Sequence, residues 1–190
     1  MSSKKQTLYF TEKGDVNTDV TLKVAKERAV ELGIRDIVVA STRGGTGLKT
    51  ATVFKGYNVV VVSHATGFRE PGVQQVTEEM TKEIKAAGGR ILTATHVFAG
   101  VERAIRNKFE TSYPALIIAQ TLRMFGSGMK VVVEIAAMAT DAGMIPADRD
   151  IIVIAGSGRG ADTAVVIKPA NAHNLFDMVI KEIIAKPSNL

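Results

Sequence analysis

The chain has 190 residues, of which 46% are apolar and 23% charged, and it carries a formal net charge of +5. This length and composition are typical of one globular domain with a substantial core, so we expect residues 1–190 to form a single domain. The absence of cysteine excludes disulfides, thiolate metal ligands and a thiol nucleophile, and we predict no metal site.

The basic residues are interspersed with acidic ones, and aromatic residues make up only 5% of the chain. This distribution favours a small anionic ligand over nucleic acid, which is bound by clustered cations and aromatic stacking platforms. The N-terminal stretch has no apolar segment behind its lysines, and no apolar window is long enough to span a membrane. We therefore expect a cytoplasmic protein with neither a nucleic-acid nor a membrane partner.

In chain order, the sequence predicts an edge strand at 8–10 and a helix that begins at Asn17 or Thr18 and ends at Gly33. Four β-branched, apolar runs predict buried parallel strands: 36–41, 58–63, 90–95 and 150–155. Helical spacing predicts five further helices: 48–55, 77–87, 98–109, 113–125 and 129–142. A short strand at 163–168 should pair antiparallel with its neighbour, and the ambiguous segment 176–186 is assigned to a final edge strand.

The alternation of helices and strands predicts an α/β fold, a three-layer α/β/α sandwich with a mostly parallel sheet and an antiparallel C-terminal edge. In such a sheet the carboxyl ends of the parallel strands meet at one edge, where ligands bind. The loops that follow the four predicted parallel strands therefore decide what this protein can bind.

The first of these loops resembles a phosphate cradle. It offers hydroxyls, a cation and exposed backbone amides before a helix: Ser41, Thr42, Arg43, Gly44, Gly45, Thr46 and Gly47. A nucleotide triphosphate loop is excluded because Leu48 stands where such a loop needs a glycine before its lysine. The alternative is a flexible glycine turn without a ligand.

The other three loops are also small, polar and basic. They contribute Ser63, His64, Gly67, Phe68 and Arg69 after the second strand, Thr95 and His96 after the third, and Gly156, Ser157, Gly158, Arg159 and Gly160 after the fourth. Four such exits on one edge favour an anion pocket more strongly than any single loop does.

Each of these motifs also has a simpler explanation. The glycines at 156–160 are too closely spaced for a dinucleotide fingerprint and precede a strand, so they form either a tight turn or a wall of the pocket. His64 and His96 are the candidate catalytic residues, as acids or bases, but a partly buried structural histidine is the commoner role for such residues. No nucleophile elbow is present, which argues against a hydrolase triad.

Four segments carry a resemblance to a known family: SHATGFREPG, ATHVFAGVERAIRNKF, AQTLRMFGSGMKVVVEIAAMATDAGMIP and GADTAVVIKPA. Together with the loop at 41–47, they make the chain similar to the C-terminal domain of pyruvate kinase, and more closely to the stand-alone pyruvate kinase alpha/beta domain-like family. The resemblance does not imply kinase activity, because that chemistry resides in a separate (β/α)8 barrel of about 250 residues.

The resemblance implies a pocket for a phosphorylated ligand, with flavin mononucleotide (FMN) as the occupant. The phosphate would lie at 41–47, and the ring would lie against the loops at 63–69, 95–96 and 156–160. Three hypotheses stay open: a homo-oligomeric FMN-binding protein whose catalytic activity is undecided, a regulatory module that senses a sugar phosphate, and an acid/base enzyme acting on a phosphorylated metabolite.

Overall fold

The computed structural model describes residues 4–189, and its framework is a seven-stranded sheet. The strands are β1 (Leu8–Phe10), β2 (Asp36–Ala40), β3 (Asn58–Ser63), β4 (Gly89–Thr93), β5 (Ile151–Ala155), β6 (Thr163–Lys168) and β7 (Val179–Pro187). The α-helices are α1 (Thr18–Leu32), α2 (Gly45–Val53), α3 (Glu78–Ala86), α4 (Val101–Phe109), α5 (Pro114–Arg123) and α6 (Ser127–Asp141). Two short 3₁₀ helices cover Asp15–Asn17 and Ala172–Asp177.

The strand order is β1-β7-β6-β5-β2-β3-β4. Strands β5, β2, β3 and β4 are parallel to one another, while β6 is antiparallel to both β5 and β7. The predicted α/β class is therefore confirmed, including the antiparallel pairing near the C-terminus.

The position of the last strand differs from the prediction. Strand β7 is present, but it is not an edge, because β1 pairs with its outer side in parallel, with Leu8 opposite Ala185. The hydroxyl of Thr7 adds a hydrogen bond to the carbonyl of Ile183 at 2.9 Å. An uncovered β7 would leave a row of backbone donors and acceptors unpaired, and the N-terminal strand satisfies that row.

Helices cover both faces of the sheet. Helices α1, α2 and α3 bury apolar side chains such as Leu22, Ala51 and Ile84 against one face, and α6 packs on the other with α5 beside it. Because both faces are covered, the central strands are continuously apolar, as parallel strands usually are. Within residues 4–189, no helix is long and apolar enough to cross a membrane.

Candidate functional site

A cleft of about 990 Å³ opens at the carboxyl edge of the parallel strands. Fourteen of the predicted site residues line it: Ser41, Thr42, Arg43, Gly45, Thr46, Ser63, His64, Phe68, Arg69, His96, Gly156, Gly158, Arg159 and Gly160. Five lie outside its lining: Gly44, Gly47, Gly67, Thr95 and Ser157. The structure thus brings side chains from all four strand exits into one space.

The first loop is folded tightly onto the sheet. The hydroxyl of Ser41 accepts a hydrogen bond from the amide of Gly47 at 3.0 Å, so this hydroxyl holds the loop in shape. A Cβ atom on Gly47 would lie 2.4 Å from Cγ1 of Val61, so only glycine lets α2 approach β3 this closely. Gly44, at φ +94°, is the N-cap of α2, so the helix begins inside the glycine loop.

The start of α2 presents unused donors to the cleft. Within residues 4–189, the amides of Gly45 and Thr46 have no hydrogen-bond acceptor in the protein, as is usual in the first turn of a helix. The exposed side chain of Arg43 lies beside them. Lys49, the lysine that made the sequence look like a triphosphate loop, instead forms an exposed ion pair with Asp19 at 2.8 Å.

An aromatic cluster forms another wall of the cleft. The ring of Phe68 lies 4.1 Å from that of His64 and 4.9 Å from that of His96, centroid to centroid, and it is stacked on His96. Nδ1 of His64 is hydrogen-bonded to Oε1 of Gln75 at 2.8 Å. On its outer side, the guanidinium carbon of Arg103 lies 4.8 Å from the centroid of the Phe68 ring. These contacts fix flat side chains against the open space.

His96 is held in its neutral form. Its Nε2 accepts a hydrogen bond from the amide of Ala65 at 3.4 Å, which places the ring proton on Nδ1. Burial lowers the pKa of His96, and the nearby positive charges of Lys130 and Arg103 act in the same direction, against an opposing effect of Glu134. Neutral His96 is not a ready proton donor at neutral pH, and its one acceptor nitrogen, Nε2, already accepts the amide of Ala65.

The glycine loop at 156–160 connects the antiparallel strands β5 and β6 and also lines the cleft. It is therefore both the tight turn and the wall of the pocket that the sequence offered as alternatives. The fully buried carboxylate of Asp162 organises it. Oδ2 of Asp162 accepts hydrogen bonds from the amides of Ser157 at 3.1 Å and Gly14 at 2.8 Å, and Oδ1 accepts one from the hydroxyl of Thr163 at 2.8 Å. Arg159 is exposed at the tip of this turn.

Helix α6 supplies part of the cleft that the sequence interpretation missed. Lys130 and Glu134, one turn apart and both buried, form an ion pair, and Oε1 of Glu134 also accepts a hydrogen bond from the amide of Phe98 at 3.1 Å. Desolvation lowers the pKa of Lys130, although the carboxylate of Glu134 partly offsets that effect. The sequence does contain a pattern that predicts this ion pair, because two opposite charges four residues apart in an otherwise apolar helix must pair when that helix is buried.

Arg123 and Gln75 also line the cleft, together with apolar side chains of β2, β3 and α6: Ala40, Val62, Val131, Ile135 and Met138. No sequence motif marked these residues, because they reach the cleft only through the packing of α5, α6 and the loop before α3. Within residues 4–189, no three side chains of His, Cys, Asp or Glu are grouped to hold a metal ion.

A second concavity of about 580 Å³ lies at the opposite end of β2 and is lined by Arg35, Asp36 and Arg149. Its central carboxylate, Asp36, is already bonded to Asn58 at 2.8 Å and to Arg149 at 3.2 Å. This region therefore holds the amino ends of the strands together, and the larger cleft is the candidate site.

The fold and the cleft define the class: a three-layer α/β protein whose parallel strands end at a single ligand-sized cleft. A family model described as "Pyruvate kinase, alpha/beta domain" matches residues 19–167, and the chain belongs to this family. Among solved structures, the chain is similar to Cryptosporidium parvum pyruvate kinase in complex with ADP, with 12% sequence identity and a TM-score of 0.39. That match covers 78% of this chain and 22% of the pyruvate kinase chain, so this chain spans about a fifth of that enzyme.

Proposed function

We propose that the cleft binds a small phosphorylated ligand, with the phosphate at the start of α2. The observation that supports this is the combination of two unused amides, those of Gly45 and Thr46, with the cationic side chain of Arg43 at one end of the cleft. Helix N-termini and arginine together bind phosphate through directed, charge-assisted hydrogen bonds. Among residues 4–189, no carboxylate forms an ion pair with Arg43, Arg69 or Arg159, so these cations are available to an anion.

FMN is the ligand that we propose for this cleft. Beyond the phosphate end, the lining combines the aromatic cluster with the apolar side chains of Val131, Ile135 and Met138, which suits a flat, hydrophobic ring. When bound, the isoalloxazine ring supplies redox chemistry by accepting and releasing electrons. In this proposal Phe68 and His96 contact the ring, and the loop at 41–47 binds the phosphate.

A ligand series tests the two parts of the proposal separately. FMN should raise the melting temperature of the wild-type protein, whereas riboflavin, which has the ring but no phosphate, should raise it less. Arg43→Ala should weaken FMN binding by about tenfold or more, in line with the loss of a charge-assisted contact of about 1.5–3 kcal/mol. Lys49→Ala is the matched control, because this lysine lies outside the cleft and should leave FMN affinity unchanged.

Two results would contradict the proposal. Equal stabilisation by FMN and riboflavin would show that the loop does not bind the phosphate, and no stabilisation by either would exclude the flavin. Absorbance of the purified protein in the flavin bands provides an independent measurement, because it reports a ligand that stays bound during purification.

The second candidate function is that of a regulatory module that binds and senses a sugar phosphate. It is favoured by the exposed, polar nature of the phosphate end, where Thr42 and Thr46 could hydrogen-bond sugar hydroxyls. A thermal-shift panel of sugar phosphates beside FMN separates the two, because only the flavin needs the aromatic and apolar part of the cleft. Phe68→Ala should then weaken the binding of FMN and spare that of a sugar phosphate.

The third candidate is an acid/base enzyme that acts on a phosphorylated metabolite. Neutral His96 lines the cleft and supports the role of a base, provided that the substrate displaces the amide of Ala65 from Nε2. For a substrate found by such a panel, His96→Asn should abolish turnover and leave ligand affinity within about threefold of the wild type. Loss of affinity and turnover together would assign His96 to binding instead.

A further inference from the structure

Lys130 places a buried primary amine in the wall of the cleft. It lies in the first turn of α6, and among residues 4–189 it is the only lysine that lines the cleft. Its Nζ pairs with Oε2 of Glu134 and lies 5.5 Å from the centroid of the Phe98 ring. A ligand in the cleft therefore meets one amine, held in place by a carboxylate and an aromatic ring.

Stability alone gives no reason for this ion pair. Burying a lysine and a glutamate costs desolvation energy, and replacing such a pair by apolar residues of similar volume is often neutral or stabilising. The phosphate site does not require the pair either, because it lies at the start of α2. A desolvated lysine at a ligand site is instead the form in which proteins use an amine as a nucleophile.

The charges around Lys130 favour the reactive form of its amine. Desolvation lowers the pKa of Lys130, and the positive charges of Arg123 on α5 and Arg103 on α4 act in the same direction, against the opposing effect of Glu134. A larger fraction of this lysine is therefore unprotonated than of an exposed lysine at the same pH. Only the unprotonated amine attacks a carbonyl carbon.

We propose that Lys130 forms an imine (a Schiff base) with a phosphorylated aldehyde or ketone bound in the cleft. The inference rests on the phosphate site proposed above, and it narrows the third candidate function to carbonyl chemistry on a phosphorylated substrate. The start of α2 would hold the phosphate, while Lys130, on the α6 wall of the same cleft, would reach the carbonyl carbon.

The step balances with the groups that line the cleft. Nζ gives up a proton, forms a bond to the carbonyl carbon and then gives up a second proton. Glu134, already hydrogen-bonded to Nζ, carries both protons in turn to the carbonyl oxygen, which leaves as water. The product is a protonated imine that keeps the positive charge of the ammonium group, so Glu134 remains paired throughout. An ammonium group and a carbonyl yield an imine and water, with no oxidant or reductant.

Pyridoxal 5′-phosphate is a suitable probe, because it carries an aldehyde and a phosphate on one flat ring and its imine has a distinct absorbance. Borohydride reduces the imine to a stable secondary amine, and peptide mapping by mass spectrometry then locates the modified lysine. We expect saturable labelling of Lys130, and we expect FMN to prevent it because both ligands use the phosphate site. Exposed Lys49 is the internal control, since any label there should not respond to FMN.

Two variants test the amine. Lys130→Arg removes the nucleophile but keeps a cation beside Glu134, so its melting temperature should stay close to that of the wild type while the label at position 130 and the FMN-sensitive absorbance of the imine disappear. The double variant Lys130→Met/Glu134→Gln removes both charges and should lose the same absorbance. It keeps the experiment decisive if an arginine does not fit.

Two further measurements test the phosphate. Arg43→Ala should raise the concentration of pyridoxal 5′-phosphate that half-labels Lys130 by about tenfold or more, in line with the loss of a charge-assisted contact. Pyridoxal, which lacks the phosphate, should require a similarly higher concentration with the wild type. Lys49→Ala, outside the cleft, should leave the labelling of Lys130 unchanged.

The inference is overturned if saturating pyridoxal 5′-phosphate leaves Lys130 of the wild type unlabelled, or if Lys130→Arg retains an FMN-sensitive imine. Pyridoxine 5′-phosphate, which has an alcohol in place of the aldehyde, separates this failure from a failure of the proposed function. If it raises the melting temperature and FMN displaces it while Lys130 stays unlabelled, the phosphate site stands and the imine is excluded. Labelling of Lys130 that neither FMN nor Arg43→Ala reduces would support the imine and overturn the phosphate site.

Discussion

Replacing Glu134 by glutamine perturbs the ion pair at the floor of the cleft with the smallest change of shape. The glutamine oxygen can still accept the hydrogen bond from the amide of Phe98, but it no longer neutralises Lys130. Lys130 is buried and its pKa is already lowered by desolvation. We therefore expect Glu134→Gln to destabilise the folded protein, because the lysine must either stay charged without a partner or lose its proton.

Deprotonation sets an upper limit on this loss. A buried ammonium group without its partner costs several kcal/mol, but deprotonating a lysine with an unfolded pKa near 10.4 costs only about 1.4 kcal/mol for each pH unit below that value. The limit is therefore about 4 kcal/mol at pH 7.5 and about 1 kcal/mol at pH 9.5. Lys130 adopts whichever of these two states costs less free energy. The loss of stability caused by Glu134→Gln should therefore decrease as the pH rises.

Urea denaturation of the wild type and Glu134→Gln at pH 7.5 and pH 9.5 measures both values. The double variant Lys130→Met/Glu134→Gln is the control. Removing the ammonium group should recover most of the stability lost at pH 7.5 and abolish the pH dependence of the difference in stability from the wild type. A penalty that is the same at both pH values would refute the reasoning, as would a loss below about 0.5 kcal/mol at pH 7.5, which is typical of an exposed pair.

Two further predictions concern the loops of the cleft. Gly158→Ala and Gly160→Ala both place a Cβ at positive φ, but only the Cβ at position 160 would meet the backbone, with Cα of Asp15 at 2.4 Å. Gly160→Ala should therefore lower the free energy of unfolding, measured by urea denaturation, by at least about 1–2 kcal/mol more than Gly158→Ala does. Equal losses of stability in the two variants would contradict this packing. The lowered pKa of His96 means that the unfolded chain binds a proton first as the pH falls below about 6.5. Stability should therefore decrease from pH 6.5 downward to the folded pKa, and His96→Asn should have a shallower loss between pH 7 and pH 5, whereas an unchanged slope would show that His96 is not held neutral.

Most of the fold followed from the sequence because its strands and helices have strong, simple patterns. The β-branched runs at β2, β3 and β5 and the helical spacing of α1 and α6 correctly predicted their elements to within a few residues. The order of the strands in the sheet was harder to predict from the sequence. The segment at 176–186 was correctly assigned to a strand but wrongly placed at the edge, because nothing in its own residues indicates that the chain returns β1 to pair with it.

The sequence predicted those residues of the candidate site that the sheet topology brings together, but not those that reach the cleft through the packing of helices and loops. Parallel strands bring their exits together whatever the loop sequences are, which is why Arg43, His64, His96 and Arg159 line one cleft. Arg123 and Gln75 reach that cleft through helix and loop positions that no local pattern encodes. The sequence predicted exposed amides in this loop, at Gly44, Gly45 and Gly47, but only the structure shows that the unused ones belong to Gly45 and Thr46 while the amide of Gly47 is bonded to Ser41.

The aromatic wall of the cleft is positioned from behind by polar contacts rather than by apolar packing alone. Phe98, two residues after His96, donates its amide proton to Glu134 and accepts a hydrogen bond at its carbonyl from the hydroxyl of Tyr113 at 3.1 Å. Both contacts are buried, so the strand exit that carries His96 is tied to α6 and to the start of α5. A change that removes the acceptor at position 134, such as Glu134→Ala, should therefore shift His96 as well as lower stability. A ligand that contacts His96 should then be sensitive to a residue of α6 that acts on it only through Phe98.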